Sequence, residues 1–284
     1  MTQPTPFDIS PAELEADISL FRRARIARLT SDKGWLTVIG KFWLAPGAHR
    51  IGAGAGSEIL LPADRAPDDV GTITLDDGVV RLDANPQVEL YARGERVRSM
   101  VLRSDAEPDP DDVVLGSLTL ELIRRGDRLA LRVRDAKSAA RLSFPGIPAY
   151  PTDPTWRIVA RLESASAERE VMFEDSDGEP QSYLSPGMAV FDKSGVSCRL
   201  WPVFENDRKR LFVLFSDLTN RDHHTYEGGR FLYAPLPEGG RILLDFNKAF
   251  NPPCAFTPYA VCPLPSDDNR LPLRVEAGEK RPAS

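Results

Sequence analysis

The stretch GTITLDDGVVRL, residues 71–82, sets the character of the chain. Ile73–Leu75 and Val79–Leu82 are strand-length apolar runs. Asp77-Gly78 lies between them, a dipeptide suited to the positive φ angles of a tight hairpin turn. The same texture extends to both sides. Leu36–Val38, Phe42–Leu44, Ile59–Leu61, Val88–Tyr91, Val97–Leu102, Leu118–Ile123 and Leu129–Val133 are short apolar runs punctuated by Gly, Pro and Asp. Arg125-Gly126-Asp127 marks a second hairpin turn. Nine such runs within about 100 residues is the spacing of a β-sandwich. Pro is 25 of 284 residues, above the usual ~5%, which favours turns over long helices.

One segment departs from this texture. Ser10-Pro11-Ala12-Glu13 has the signature of a helix start, with Ser10 as cap, Pro11 in the first turn and Glu13 reaching back. Leu14, Ile18 and Phe21 then share one face, and the basic cluster Arg22, Arg23, Arg25 and Arg28 falls largely on the other. The spacing predicts a helix over 11–30, preceded by a tail at 1–9. A Pro-rich change of composition at 136–157 (Phe144-Pro145-Gly146-Ile147-Pro148, Tyr150-Pro151, Asp153-Pro154) separates a second β region. Its runs are Arg157–Leu162, Glu170–Phe173, Met188–Phe191, Cys198–Pro202, Leu211–Phe215, Arg230–Ala234 and Arg241–Phe246. The expected fold class is therefore all-β with one N-terminal α-helix. The organisation is a tail and helix at 1–33, a β-sandwich at 34–135, a linker at 136–156 and a C-terminal β-sandwich or barrel at 157–284.

Lys plus Arg is 36 and Asp plus Glu is 42, a net charge of −6. That argues against a nucleic-acid binder acting through bulk positive charge. Hydrophobic residues make up 42% and charged residues 27%, ordinary for a chain that buries a core. No apolar run reaches the ~18 residues of a membrane helix. The acidic N-terminus lacks the basic-then-apolar order of a secretory leader, so the expected location is cytoplasmic, with Cys198, Cys254 and Cys262 reduced. No P-loop, dinucleotide glycine fingerprint, nucleophile elbow or zinc-protease helix occurs, so no cofactor is implied. Oligomeric state is left open.

The distinctive chemistry is concentrated at 215–280. Thr225-Tyr226-Glu227-Gly228-Gly229-Arg230-Phe231-Leu232 is followed by Asp245-Phe246-Asn247-Lys248-Ala249-Phe250-Asn251-Pro252-Pro253-Cys254-Ala255-Phe256. Then come Cys262-Pro263-Leu264-Pro265, Asn269-Arg270-Leu271 and Ala277-Gly278-Glu279-Lys280. These motifs resemble those of DUF1684, a bacterial and archaeal family of unknown function. The resemblance extends over about residues 20–282 through Gly34-Trp35-Leu36, Phe42-Trp43-Leu44, Ala66-Pro67, Leu115-Gly116-Ser117 and Leu131-Arg132-Val133-Arg134-Asp135. One departure is Arg221-Asp222-His223-His224, where the family pattern implies a shorter turn with Gly. The N-terminal β half is similar to a forkhead-associated (FHA) sandwich in Gly47-Ala48-His49-Arg50-Ile51-Gly52 and Gly56-Ser57-Glu58-Ile59-Leu60-Leu61-Pro62. That resemblance implies a scaffold. Phosphothreonine binding would need an Arg where Ala53 stands, and a Ser–His pair that 66–75 lacks.

Two readings of 215–280 stand side by side. Buried polar groups must be hydrogen-bonded. Arg230, Asp245, Lys248 and Glu279 could therefore form an internal salt-bridge network. Alternatively Arg230, Lys248 and Lys280 converge on a small anionic molecule, with Asn247, Asn251 and Asn269 orienting it. An enzyme on the same site would use Asp245, Glu279 or Tyr226 as acid/base, or Cys254 or Cys262 as nucleophile. Cys254 and Cys262, with seven residues between them, lack zinc-ribbon spacing and are expected near one another as free thiols. His223, His224 and Asp222 are weak metal candidates. The functions that follow are an anion-binding protein, an enzyme at the same pocket, or a protein-interaction module using the FHA-like sandwich.

Overall fold

The structure, a computed structural model, describes residues 8–283, and for 164–167 the backbone alone. Most of the tail expected at 1–9 thus lies outside the described residues. Helix α1 (Pro11–Leu29) begins as its sequence dictates. The Ser10 amide donates to the Glu13 carboxylate at 2.9 Å, and the Glu13 amide donates to Ser10 Oγ at 3.3 Å, a reciprocal cap. Leu14 and Ile18 are buried, and the Phe21 ring packs 6.4 Å from that of Phe250. The basic face is not simply solvated. Arg22 donates to the Tyr150 carbonyl at 2.7 Å, and Arg25 reaches Glu279.

By contacts the chain forms two units. One is Leu29–Phe144. The other combines the N-terminal segment through Arg28 with the chain from Pro145 onward. The helix, read from sequence as part of a separate N-terminal segment, groups by contacts with the C-terminal unit.

The first unit is a two-sheet sandwich. Its strands are β1 (Val38–Trp43), β2 (Gly47–Gly52), β3 (Ile59–Leu60), β4 (Gly71–Asp76), β5 (Val79–Ala84), β6 (Leu90–Ala92), β7 (Glu95–Val97), β8 (Ser99–Val101), β9 (Asp112–Leu115), β10 (Leu118–Arg125) and β11 (Arg128–Asp135). One sheet has the order β1-β11-β10-β9-β6-β7 and the other β3-β2-β4-β5-β8. The hairpin at 71–82 forms as read, with Asp76 opposite Val79 and Asp77 and Gly78 at φ 45° and 74°. Both central residues lie in the left-handed region, as a primed hairpin turn requires. Ile51, Ile73, Leu82, Leu90, Val113, Leu118 and Leu131 fill the core. The run Leu36–Val38 departs from expectation. Residues Trp35–Thr37 are a 3₁₀ turn, because the Thr37 amide and hydroxyl both bond back to the Gly34 carbonyl, at 3.0 and 2.7 Å. Strands β7 and β9 were not anticipated. They are short, and charged residues begin each of them.

After a short helix, α2 (Ala139–Leu142), the second unit supplies β12 (Arg157–Glu174), β13 (Pro180–Lys193), β14 (Val196–Leu200), β15 (Val203–Phe204), β16 (Leu211–Phe215), α3 (Leu218–Arg221), β17 (Arg230–Ala234) and β18 (Arg241–Asp245). Arg157–Leu162 and Glu170–Phe173 prove to be one long strand, since β13 pairs along both parts of it. The sheets β14-β13-β12-β18 and β15-β16-β17 are both open, so the alternative of a closed barrel is excluded. With 42% strand and three helices among the described residues, the chain is all-β. No helix among the described residues is long and apolar enough to cross a membrane. Beyond β18 the chain carries the family-like motifs without a regular strand, through 3₁₀ turns at Phe246–Lys248, Pro253–Ala255 and Asp267–Asn269.

Phe246 anchors that irregular tail to the core. Its ring lies 5.3 Å from Phe215, 5.9 Å from Phe191 and 6.0 Å from Trp156. Phe246→Ala should lower stability by about 3–5 kcal/mol. A denaturant titration followed by tryptophan fluorescence checks this, and an unchanged midpoint would contradict the packing argument.

Candidate functional site

The register of the β16–β17 hairpin places Phe215 opposite Arg230. Asp217 follows two residues beyond Phe215, as N-cap of α3. The outcome is an ion pair with both side chains 0% exposed, Arg230 Nη2 to Asp217 Oδ2 at 2.7 Å. The guanidinium also donates to the carbonyls of Ala277 at 2.5 Å, Val275 at 2.8 Å and Glu279 at 3.3 Å. Asp217 Oδ1 accepts from the Thr219 amide and hydroxyl and from the Val275 amide. Each charge therefore has several partners supplied by the chain, which is the condition for tolerating a buried pair. Of the two readings, the internal network describes Arg230. Its partner is Asp217, and not the expected Asp245 or Glu279.

The two expected carboxylates serve other arginines. Asp245 accepts from Arg157 at 2.9 Å and from the Asn247 side chain at 3.0 Å. Glu279 holds Arg25 at 2.9 Å and accepts from the Asn251 amide at 2.7 Å. The asparagines act as backbone clasps. Asn247 exchanges two hydrogen bonds with the backbone of Asp153. Asn269 accepts from the Trp201 amide at 2.7 Å and donates to the Leu214 carbonyl at 2.8 Å. Asn251 donates to the Lys280 carbonyl, while its own side-chain oxygen is buried without a partner. Lys248 pairs with Asp17 at 2.7 Å, and the Lys280 ammonium lies 4.5 Å from the centre of the Tyr150 ring. Arg230, Lys248 and Lys280 thus do not converge on one point. Arg230 and Lys248 have carboxylate partners within the chain, and Lys280 lies over an aromatic ring.

His223 and His224 lie in the turn after α3 and are exposed. His223 has φ 61° and accepts from Arg281 at Nδ1, 3.0 Å away. Asp222 is taken by Arg274. No group of three or more His, Cys, Asp and Glu suited to a metal ion occurs among the described residues.

Three candidates do come together: Tyr226, Cys254 and Cys262. Cys254 lies in the 3₁₀ turn Pro253–Ala255 and is partly exposed, whereas Cys262 is buried. The Cys254 amide donates to Cys262 Sγ at 3.2 Å. Cys262 is pinned by the β12–β13 turn, where the Ser176 amide donates to its carbonyl and its own amide donates to Ser176 Oγ. Interaction with the Cys262 thiol and with the Tyr226 hydroxyl favours the Cys254 thiolate. Together, with the larger effect from Cys262, they lower its pKa to about 7 against the opposition of burial. The same contact pushes the Cys262 thiol far up, aided by burial. Burial and the bond to Cys254 raise Tyr226 as well. Glu227 and Asp175 are the charged groups facing the pair, and each opposes ionisation of the nearer thiol. Cys198 contrasts with them: buried in the core, it is pushed up to about 11.

The turn leading to β17 is shaped for this arrangement. A Cβ at Gly228 would come within 2.6 Å of the Tyr226 ring. Gly229 sits at φ 86°, where a Cβ would lie 2.5 Å from Pro265 and 2.7 Å from the Phe215 carbonyl. Glycine is required at both.

The description of DUF1684, a protein family of unknown function, matches residues 142–280. Over this span the chain belongs to the DUF1684 family. The span coincides closely with the C-terminal unit from Pro145 onward. The resemblances at Gly34-Trp35-Leu36 and on to Asp135 fall outside it. A solution NMR structure of an uncharacterized protein of Haloarcula marismortui is 34% identical, covers 49% of this chain and 78% of its own, and has a TM-score of 0.41. The FHA-2 domain of a Mycobacterium tuberculosis ABC transporter is 27% identical over 31% of this chain and 77% of its own, with a TM-score of 0.25. The FHA domain of FhaA, solved in complex with an intracellular domain, is 18% identical over 33% of this chain and 97% of its own, with a TM-score of 0.24. No curated protein matches the chain.

Sequence reading passed over Asp217, Arg25 and Arg157. Asp217 carried a usable signal, because Asp217-Leu218-Thr219-Asn220 is a helix-cap pattern immediately after a strand that pairs with Arg230. Removing Arg230 alone leaves a buried carboxylate unpaired. Arg230→Met should therefore cost roughly 3–5 kcal/mol, and Arg230→Met with Asp217→Asn clearly less. Denaturant titration of both variants checks this. Equal losses would show that the charge pair is not the source.

Proposed function

We infer that the chemistry of this protein runs through the Cys254 thiol, a nucleophile supported by Tyr226 and Cys262. The supporting observation is the partly exposed Cys254 set against the buried Cys262, whose Sγ accepts from the Cys254 amide at 3.2 Å. The thiolate is the reactive form of cysteine, and two donors aimed at it favour that form. The carboxylates once considered as acid/base groups, Asp245 and Glu279, are engaged by Arg157 and Arg25. Arg230 and Lys248 of the anion-site reading are paired with Asp217 and Asp17, whereas Cys254 is partly exposed.

Alkylation of the folded protein by iodoacetamide, followed by peptide mass mapping, tests this reading. Cys254 should react with a rate half-maximal near pH 7, and Cys198 should stay protected. Tyr226→Phe removes one donor and should move the Cys254 profile to higher pH. A profile centred near the ordinary ~8.5, unchanged in Tyr226→Phe, would overturn the assignment.

A hollow in the sandwich unit favours a second reading, a protein-interaction module. Arg93, Arg96 and Arg98, with a single carboxylate, Glu95, and with Val97 and Met100, line an open concavity of about 480 Å³. Arg96 and Arg98 are exposed there, which suits an acidic peptide as partner. Titration with a labelled poly-glutamate peptide should show salt-sensitive binding that Arg96→Glu with Arg98→Glu removes. Equal binding by the variant would discard this reading.

A further inference from the structure

We propose that Cys254 and Cys262 form a peroxide-reactive pair, in which Cys254 is oxidised by a hydroperoxide and Cys262 resolves it to an intramolecular disulfide. The proposal rests on the reading of Cys254 as the nucleophile and adds its oxidant class and the role of its neighbour. Three observations carry it. The Cys254 amide donates to Cys262 Sγ at 3.2 Å, so the two cysteines lie against each other. One of them is accessible and the other buried, as an attacking and a resolving thiol should be. Finally, both sit on irregular backbone, a 3₁₀ turn and a proline-bounded loop. Neither belongs to a strand whose ladder would break if a sulfur shifted.

The reaction balances without any further group. The Cys254 thiolate attacks one peroxide oxygen. An S–O bond forms, the O–O bond breaks, and the departing alkoxide or hydroxide takes a proton from water. The product is a sulfenic acid on Cys254. Cys262 Sγ then attacks Cys254 Sγ, an S–S bond forms, and hydroxide leaves with the Cys262 proton as water. The peroxide gains two electrons and the dithiol loses two.

The pair also sets its own order. With Cys254 ionised, its charge and its hydrogen bond hold the Cys262 thiol protonated. Once Cys254 is a neutral sulfenic acid, its charge no longer opposes loss of the Cys262 proton; burial remains, and that proton leaves with the hydroxide as the S–S bond forms. Tyr226 is a positioning residue: its hydroxyl holds the Cys254 sulfur and does not exchange bonds with the peroxide. Cys198 lies buried in the core and serves as an internal control.

The test treats the full chain with hydrogen peroxide, blocks residual thiols with iodoacetamide and maps peptides by mass. The expected product is a Cys254–Cys262 cross-linked peptide, lighter by a pair of hydrogen atoms and restored by dithiothreitol. Cys262→Ser, or Cys262→Ala should the serine variant fail to fold, should stop at a sulfenic acid on Cys254 that dimedone captures. Tyr226→Phe should slow the oxidation at pH 7 roughly tenfold, following its smaller thiolate fraction. Cys198→Ser should change nothing. Suppose Cys254 alkylates with a profile centred near 7 while peroxide yields no Cys254–Cys262 link. Then the proposal fails and the nucleophile reading stands. If Cys254 does not alkylate in the folded protein, both fall.

Discussion

The Arg230–Asp217 pair is the constraint on which the C-terminal unit depends. Both side chains are withdrawn from water, and an unpaired charge in that position would cost several kcal/mol. Neither residue can satisfy the other alone. The guanidinium needs three carbonyls from 275–279, and the carboxylate needs the first turn of α3 and the Val275 amide. The pair is therefore satisfied only when the β16–β17 hairpin, the α3 turn and the C-terminal segment occupy their places together. A hydrophobic replacement could match its stability, but it would not demand one arrangement of those three segments.

The rest of the irregular tail is held in the same manner, by charges and amides directed at backbone. Arg25 from α1 bridges Glu279 and the Asn251 carbonyl. Asn247 ties the 3₁₀ turn after β18 to Asp153. Asn269 substitutes for a strand by bonding to Trp201 and Leu214. A segment without regular secondary structure has many backbone groups to satisfy, and side-chain amides meet that need where no ladder is available. This is why the motifs are rich in Asn, Arg and Pro rather than in apolar strand residues.

Tyr226, Cys254 and Cys262 meet where these supports end. Tyr226 is carried by the turn that Gly228 and Gly229 allow, Cys254 by a turn three residues past buried Asn251, and Cys262 by hydrogen bonds to Ser176. Of the two thiols, Cys254 is the partly exposed one and Cys262 the buried one. Cys198, equally a thiol, is buried in the core, and burial, with Asp192 adding to it, raises its pKa. Environment, and not residue type, separates the two behaviours.

Local rules settled much of this protein from sequence. The Ser10–Glu13 cap fixed where α1 starts, and the Asp77-Gly78 turn fixed a hairpin whose alternating residues bury Ile73 and Leu82. Such features depend on a few neighbours along the chain, so they can be read from it. Composition likewise pointed to an all-β chain and concentrated the chemistry in 215–280. Partner choice was different. Asp245 and Glu279 were the nearest carboxylates to consider for Arg230, but the hairpin register brought Asp217 to it, and α1 brought Arg25 to Glu279 from more than two hundred residues away. The same residues spell out an anion site or a closed network equally well in sequence. Only the tertiary structure decided between them, because a charge takes its meaning from what lies within a few ångströms in space, and the chain's order does not record that distance.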